Sequence, residues 1–169
     1  ESNESEFTKT NVNGSRNVVK AAIAVGVDKC ILVSTDKACL PVNNYGKGKS
    51  LAEGIFTSEN SKQDETVLAS VRYGNVIASR GSAIPLFLDL INQDKTIQVT
   101  STEMTRFFFT LDNAVDTVLY SLEHAWGGEV FIPQISSYTL PSLIDAVGVI
   151  AGKTPITTIA GLRPGEKLH

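Results

Sequence analysis

Lys29-Cys30-Ile31-Leu32-Val33-Ser34-Thr35-Asp36-Lys37-Ala38, followed at once by Cys39-Leu40 and then Pro41-Val42-Asn43-Asn44-Tyr45-Gly46-Lys47-Gly48-Lys49, is the stretch that decides the fold. The run Cys30–Val33 is short and apolar, as a parallel strand buried on both faces requires. Ser34, Thr35, Asp36 and Lys37 follow at its carboxyl end, where open α/β sheets bind their ligands. Tyr45 and Lys49 stand four apart near the start of a helical segment, so they share one helix face. One strand-loop-helix unit thus carries an acid, a base, a tyrosine and a lysine partner.

Outward from this unit, Phe7, Asn11, Gly14, Val18, Ala21 and Val25 recur every three or four residues and predict a helix over 5–25. Asn11 and Gly14 interrupt its otherwise apolar stripe, and a buried Asn at such a place can satisfy backbone groups near a helix bend. Gly26 ends that helix before a strand at 29–34. A second helix is expected over 44–60, although Gly46, Gly48 and Gly54 lower its propensity. Close approach of sheet or ligand would explain them. Residues 66–72 read as the next parallel strand.

After Val76 the character changes. Ala83–Ile91 reads as a short apolar helix with Pro85 in its first turn. Strands are expected at 96–99, 106–110, 129–132 and 157–159, and a helix over 140–150 that Gly152 stops. The helix at 111–124 is expected to turn Leu111, Val115, Val118, Leu119 and Leu122 inward. The strand-helix alternation at the front implies an α/β fold with a parallel sheet and crossover helices. The mixed second part suits a smaller α+β lobe.

Composition narrows the function. The 169 residues suit one domain or parts of two, and the net charge of -3 argues against nucleic acid as the main partner. No apolar run reaches the length of a membrane span. Cys30 and Cys39 are the only cysteines, read as a buried strand residue and a loop thiol. His124 and His169 stand alone, without metal-ligand spacing.

The chemistry follows from the residue types. Tyr45 and Lys49 could be a surface pair, but after a strand ending Ser-Thr-Asp-Lys they read as a tyrosine poised to lose its proton. A nearby ammonium would lower the phenol from its usual value of about 10. Asp36 and Lys37 could be a solvated turn. As a pair they supply the acid and the base that elimination next to a carbonyl needs. A lysine acts as a base only when neutral, which desolvation or a neighbouring cation such as Lys49 favours.

These motifs resemble the extended short-chain dehydrogenase/reductase family, and within it the inverting UDP-N-acetylglucosamine 4,6-dehydratases of the polysaccharide-biosynthesis, pseudaminic-acid type. The resemblance is carried by Ser34–Ala38, Pro41–Lys49, Arg72-Tyr73-Gly74-Asn75-Val76, Ser79-Arg80-Gly81-Ser82, Met104-Thr105-Arg106-Phe107 and Arg163–His169. It implies the C-terminal part of a Rossmann-type doubly wound parallel sheet plus a smaller α+β substrate-binding lobe. Residues 1–76 would be the later part of an NAD(P)-binding domain with the catalytic motif. Residues 77–169 would form the UDP-sugar lobe, with 105–133 packing back on the first domain.

By this resemblance Thr35, Asp36, Lys37, Tyr45 and Lys49 are catalytic. Ser34, Tyr45, Lys49 and Tyr73 would bind NADP or NAD. Thr35, Asn75, Arg80, Ser82, Arg106, Arg163 and Glu166 would bind the UDP-sugar, Arg106 and Arg163 at the diphosphate and Glu166 at the ribose hydroxyls. Asn11 would support the backbone behind the lysine. No metal is implied. The implied protein is a cytoplasmic bacterial lyase of nucleotide-sugar metabolism, serving flagellin glycosylation and homo-oligomeric at full length. Two other readings stay open: an epimerase or reductase on the same scaffold, which would lack the Asp36-Lys37 pair, and a non-catalytic nucleotide-sugar or dinucleotide sensor.

The chain departs from the family in places. Lys47 and Gly48 stand where its members usually carry Ala-Thr. The family's membrane-anchored members generally replace the tyrosine by methionine, so Tyr45 points to the shorter branch. No Gly-x-Gly-x-x-Gly follows a strand, although the family carries one near its N-terminus. The expectation is an internal piece of a longer enzyme, inactive and self-associating in isolation.

Overall fold

The structure, a computed structural model, describes residues 4–77, 79 and 81–169. The chain starts with α1 (Glu4–Thr8), passes through a π-helical turn (Lys9–Asn13) and continues as α2 (Gly14–Val25). Then come β1 (Lys29–Thr35), a 3₁₀ turn (Asp36–Ala38), α3 (Asn44–Asn60) and β2 (Val67–Tyr73). Next are β3 (Asn75–Val76), α4 (Ala83–Asn92), β4 (Ile97–Val99), β5 (Thr105–Phe109) and α5 (Leu111–His124). The last elements are β6 (Val130–Phe131), β7 (Ser137–Thr139), α6 (Leu140–Ala151) and β8 (Thr157–Ile159).

The helix expected over 5–25 is therefore not uniform. Its wide turn lies where Asn11 and Ser15 offer their side chains to the backbone. Asn11 Nδ2 donates to Phe7 O at 3.2 Å, and Ser15 Oγ donates to Asn11 O at 2.6 Å. Such local bonds compete with the regular α ladder, and the otherwise rare π turn falls at this point. Gly26 closes α2 in the left-handed region at φ 74°, returning its N–H to Ala22 and Ile23 carbonyls.

The chain divides into two units. The first comprises residues up to Tyr73 together with Asp112–Gln134. Its sheet has the order β1-β2-β6, all parallel. The register of β1 on β2 runs from Lys29 opposite Val67 to Thr35 opposite Tyr73. Val19 of α2, Ile55 and Phe56 of α3 and Leu68 of β2 form its buried core, with Val12, Ile23, Cys30 and Leu32 packed against it. Helix α3 is thus the crossover between two parallel strands, fixed by an apolar face against the sheet. Cys30 is half-buried and Cys39 exposed, both as free thiols.

The expected inward face of α5 is corrected. Leu111, Val115 and Leu119 are exposed, and Ala114 and Ser121 are buried instead. Val118 and Leu122 are half-buried. Small side chains let a helix backbone approach its neighbours closely, so here the buried stripe follows side-chain size.

The second unit comprises Gly74–Leu111 and Ile135–His169. In one sheet β5 pairs parallel with β3 and antiparallel with β7; a second pairs β4 with β8 in parallel. Its core joins Phe87 and Ile91 of α4, Ile97 and Val99 of β4, and Ile144 and Val147 of α6. Strands β3 and β7 were not foreseen from the sequence. Among the described residues no helix is long and apolar enough to cross a membrane.

Candidate active site

At the carboxyl end of β1 the chain turns sharply. Ser34 and Thr35 are buried. Thr35 caps the 3₁₀ turn, its Oγ1 accepting from Lys37 N at 3.3 Å. The same hydroxyl donates to Asp36 Oδ1 at 2.8 Å, and Lys37 Nζ donates to that oxygen at 3.0 Å. Asp36 and Lys37 therefore form a half-exposed ion pair aligned by Thr35.

Helix α3 begins against this turn. Asn43 caps it, Oδ1 accepting from Gly46 N at 2.9 Å. A Cβ on Gly46 would lie 2.2 Å from Lys37 O, so only glycine lets the helix start come this close to the turn. That contact brings Tyr45 into hydrogen-bonding reach of Thr35. One turn on, Lys49 Nζ donates to Val33 O of β1 at 3.2 Å.

The phenol of Tyr45 is pushed above its usual value. Burial is the largest cause; the Thr35 hydrogen bond works the other way, and the Asp36 charge adds to the rise. The lowering expected from an ammonium is not found: the hydrogen bond from Thr35 is the only influence that lowers the phenol, and desolvation outweighs it. Tyr73, at the end of β2, is also raised, by burial and then by Tyr45. Thr35, Asp36, Lys37, Tyr45, Lys49 and Tyr73 all gather at the carboxyl ends of β1 and β2. Ser34 is nearby, but its hydroxyl donates to Glu53. Asn11 bonds Phe7 O within its own helix.

In the second unit, Asn75 lies in β3 opposite Phe108. Ser82 occupies the N-cap position of α4 without capping it, and its Oγ is buried and unpartnered. Arg106 of β5 reaches back to the C-terminal segment. Its Nη1 donates to Thr105 O at 2.7 Å and its Nη2 to Glu166 Oε1 at 3.4 Å. Arg163-Pro164-Gly165-Glu166 forms a turn closed by Glu166 N donating to Arg163 O at 3.2 Å, with Gly165 at φ 79°. This places Arg163 and Glu166 at its two ends, with Pro164 and Gly165 at the corners. Glu166 Oε2 is buried and has no partner. Two of the expected substrate residues thus carry polar atoms shut from water and unsatisfied, the condition a bound polar ligand relieves. Arg80 lies outside the described residues.

A buried acid was missed from the sequence. Glu53, eight residues after Tyr45 on the same face of α3, pairs with Arg72 of β2. Its spacing from Tyr45 and Lys49 was a usable signal. Among the described residues, no group of three or more His, Cys, Asp or Glu could hold a metal ion.

Parallel strands joined by α3, with the polar set at their carboxyl ends, define a Rossmann-type α/β scaffold. The chain belongs to the polysaccharide biosynthesis protein family, whose model matches residues 1–169. It is 43% identical over 172 residues to the UDP-N-acetylglucosamine 4,6-dehydratase (inverting) of Campylobacter jejuni strain 81-176, covering 100% of this chain and 50% of that protein. It is 44% identical over 164 residues to a Rickettsia felis protein named UDP-glucose 4-epimerase, covering 96% of this chain and 48% of that one. The X-ray structure of Pen from Bacillus thuringiensis is similar with a TM-score of 0.91 at 39% identity, over 99% of this chain and 54% of that one. The chain spans about half the length of the curated relatives it matches.

Proposed function

We propose that these residues belong to an enzyme that dehydrates UDP-N-acetylglucosamine to a UDP-4-keto-6-deoxy-N-acetylhexosamine with inversion at carbon 5. The observation that carries this reading is the Asp36–Lys37 ion pair, bonded to Thr35 and held beside Tyr45 by the Gly46 contact. The proposed cofactor is NADP or NAD, whose nicotinamide, when bound, accepts a hydride from carbon 4 and returns it at carbon 6. Tyr45 and Lys49 at the strand ends suit that group, with Ser34 and Tyr73 completing its surroundings.

Tyr45 takes the proton of the carbon-4 hydroxyl as its phenolate, so its own proton must first pass to solvent against the rise that burial causes. In this reading the Lys49 ammonium one turn on favours the charged form, and Thr35 hydrogen-bonds the same oxygen. The resulting ketone acidifies carbon 5. Lys37 removes that proton, and Asp36 protonates the carbon-6 hydroxyl, which leaves as water. This step needs neutral Lys37 and protonated Asp36. The ion pair is one proton transfer away, along a 3.0 Å hydrogen bond. Elimination ends with an ammonium and a carboxylate, the charge state of the pair described above. Carbon 5 then takes a proton derived from solvent on the opposite face.

In the second unit, Arg106 and Arg163 would hold the diphosphate, since arginine forks match its oxygens. Asn75 would touch the first phosphate, with Arg80 and Ser82 adding further contacts. Glu166 would accept from the ribose hydroxyls. The unpartnered Glu166 Oε2 and Ser82 Oγ support these roles. We place residues 1–76 in the cofactor domain and 77–169 in the substrate lobe, with 105–133 packing back on the former. The intact protein is proposed to be a cytoplasmic homo-oligomer serving surface-polysaccharide or flagellin glycosylation.

The relative named as an epimerase keeps a second reading alive, in which the sugar is inverted at carbon 4 without loss of water. Incubating the intact protein with UDP-N-acetylglucosamine in deuterated water separates the two. Dehydration gives a 4-keto, 6-methyl sugar carrying deuterium at carbon 5. Epimerisation gives UDP-N-acetylgalactosamine with carbon 5 unlabelled, and that product would replace the proposal.

A further inference from the structure

The parallel register of β1 on β2 sets Ser34 beside Arg72 and, one step on, Thr35 beside Tyr73. Glu53 of α3 spans both strands at this level. Its Oε1 accepts from Ser34 Oγ and from Arg72 Nε, the latter at 2.8 Å, and its Oε2 accepts from Arg72 Nη2. Glu53 is 4% exposed. The carboxylate holds the Arg72 guanidinium above its ordinary range, against the opposing effect of burial.

Stability alone does not account for such a group. Desolvating a carboxylate and a guanidinium offsets most of their attraction, and apolar pairs of similar volume often serve as well or better. A bidentate fork supplies direction: two parallel N–H···O bonds fix distance and rotation together. Here the fork joins the helix bearing Tyr45 and Lys49 to the strand ends bearing Thr35 and Tyr73. Tyr45, Lys49 and Glu53 repeat at intervals of four, so any rotation of α3 that moves Glu53 moves the other two.

We propose that Glu53, through Ser34 and Arg72, is a positioning residue that locks the rotation of α3 and so sets Tyr45 against Thr35. This rests on reading Tyr45 as the proton acceptor, while the lock itself has a readout independent of activity. The fork is a device of orientation: an apolar replacement keeps the fold and loses the aim.

The test uses the intact protein with the paired substitution Glu53→Leu and Arg72→Met. The expected unfolding midpoint stays within a few degrees of the parent. The rate of nicotinamide reduction at saturating sugar nucleotide falls about 10- to 100-fold, as misplacements near 1 Å do, while KM changes less than threefold. Phenolate absorbance, read as the difference from the corresponding Tyr45→Phe protein, shows the Tyr45 titration moving down towards 10 as water reaches it. Arg72→Lys keeps the charge and removes the fork, and it must show the same loss of rate and the same titration shift if the paired variant does not fold. A parental titration of Tyr45 in either folded variant overturns the lock. A shifted titration with Tyr45→Phe fully active keeps the lock and overturns only the role of Tyr45.

Discussion

The Phe7 ring meets the Tyr45 ring edge-on, with centroids 6.2 Å apart and planes inclined at 61°. It reaches that place over Gly48, where a Cβ would lie 2.3 Å from Phe7 Cε1. Glycine inside a helix costs about 1 kcal/mol against alanine. The hollow at Gly48 therefore weakens α3 locally and seats an aromatic ring beside the candidate proton acceptor.

Gly48→Ala sets two effects against each other. Helix propensity gains about 1 kcal/mol, and overpacking costs about 1–3 kcal/mol where nothing can move. The obstructing atoms are the far end of the Phe7 side chain, which is half-buried and can swing aside. Stability should change by less than about 1 kcal/mol in denaturant unfolding, while the Phe7–Tyr45 ring contact disappears from NMR cross-peaks. A loss well beyond this would show that Phe7 is held fast.

The raised Tyr45 phenol gives a pH dependence of definite sign. The unfolded chain ionises this group near 10, the folded chain later, so above about 10 the unfolded state holds fewer protons. Stability from this source is flat below that value and declines as pH rises from there towards the folded-state value. Chemical unfolding at mildly and strongly alkaline pH should show a smaller decline for Tyr45→Phe than for the parent. An equal decline would place its titration at the ordinary value.

Lys37→Ala in the intact protein should abolish water loss and leave dinucleotide binding nearly unchanged. Deuterium incorporation at carbon 5 should vanish with it. Undiminished exchange would assign the base to another group.

Arg163→Ala should raise KM for the sugar nucleotide more than it lowers kcat, because the proposed diphosphate contact would be made in ground and transition states alike. A charge-assisted hydrogen bond of this kind contributes about 1.5–3 kcal/mol. Calorimetry showing parental UDP affinity would remove Arg163 from the site.

Much of this was legible in the chain. The helix at 44–60 and the strand at 157–159 lie where the spacing put them, and β1 and β2 end within a residue of expectation. The helix and the first two strands carry long or strongly apolar signals, whereas the strand at 157–159 is only Thr-Thr-Ile and was marked by its β-branched residues. Strands β3 and β7 are two and three residues long and carry no alternation for a reader to find. The inward face of α5 was misread because Ala114 and Ser121 carry no hydrophobic signal. The candidate catalytic motif was visible as residue types, but the rise in Tyr45 and the Glu53 fork depend on burial and register, which spacing alone does not specify.

The π turn at Lys9–Asn13 is, in effect, one residue spliced into an otherwise regular helix. Successive residues of an α-helix are rotated by about 100°, and the wide turn absorbs most of the extra residue's rotation, so forcing these same residues into a regular α-helix would rewind everything upstream by most of that angle. Phe7 would swing off the hollow at Gly48 while α2, β1 and α3 stayed in place. A change that regularises this turn without shortening it is thus equivalent to unplugging one ring from the neighbourhood of Tyr45, whereas a single-codon deletion within the turn leaves that ring in phase. A shift of this size, rather than any change in overall hydrophobicity, is the kind of alteration to which this end of the chain is most sensitive.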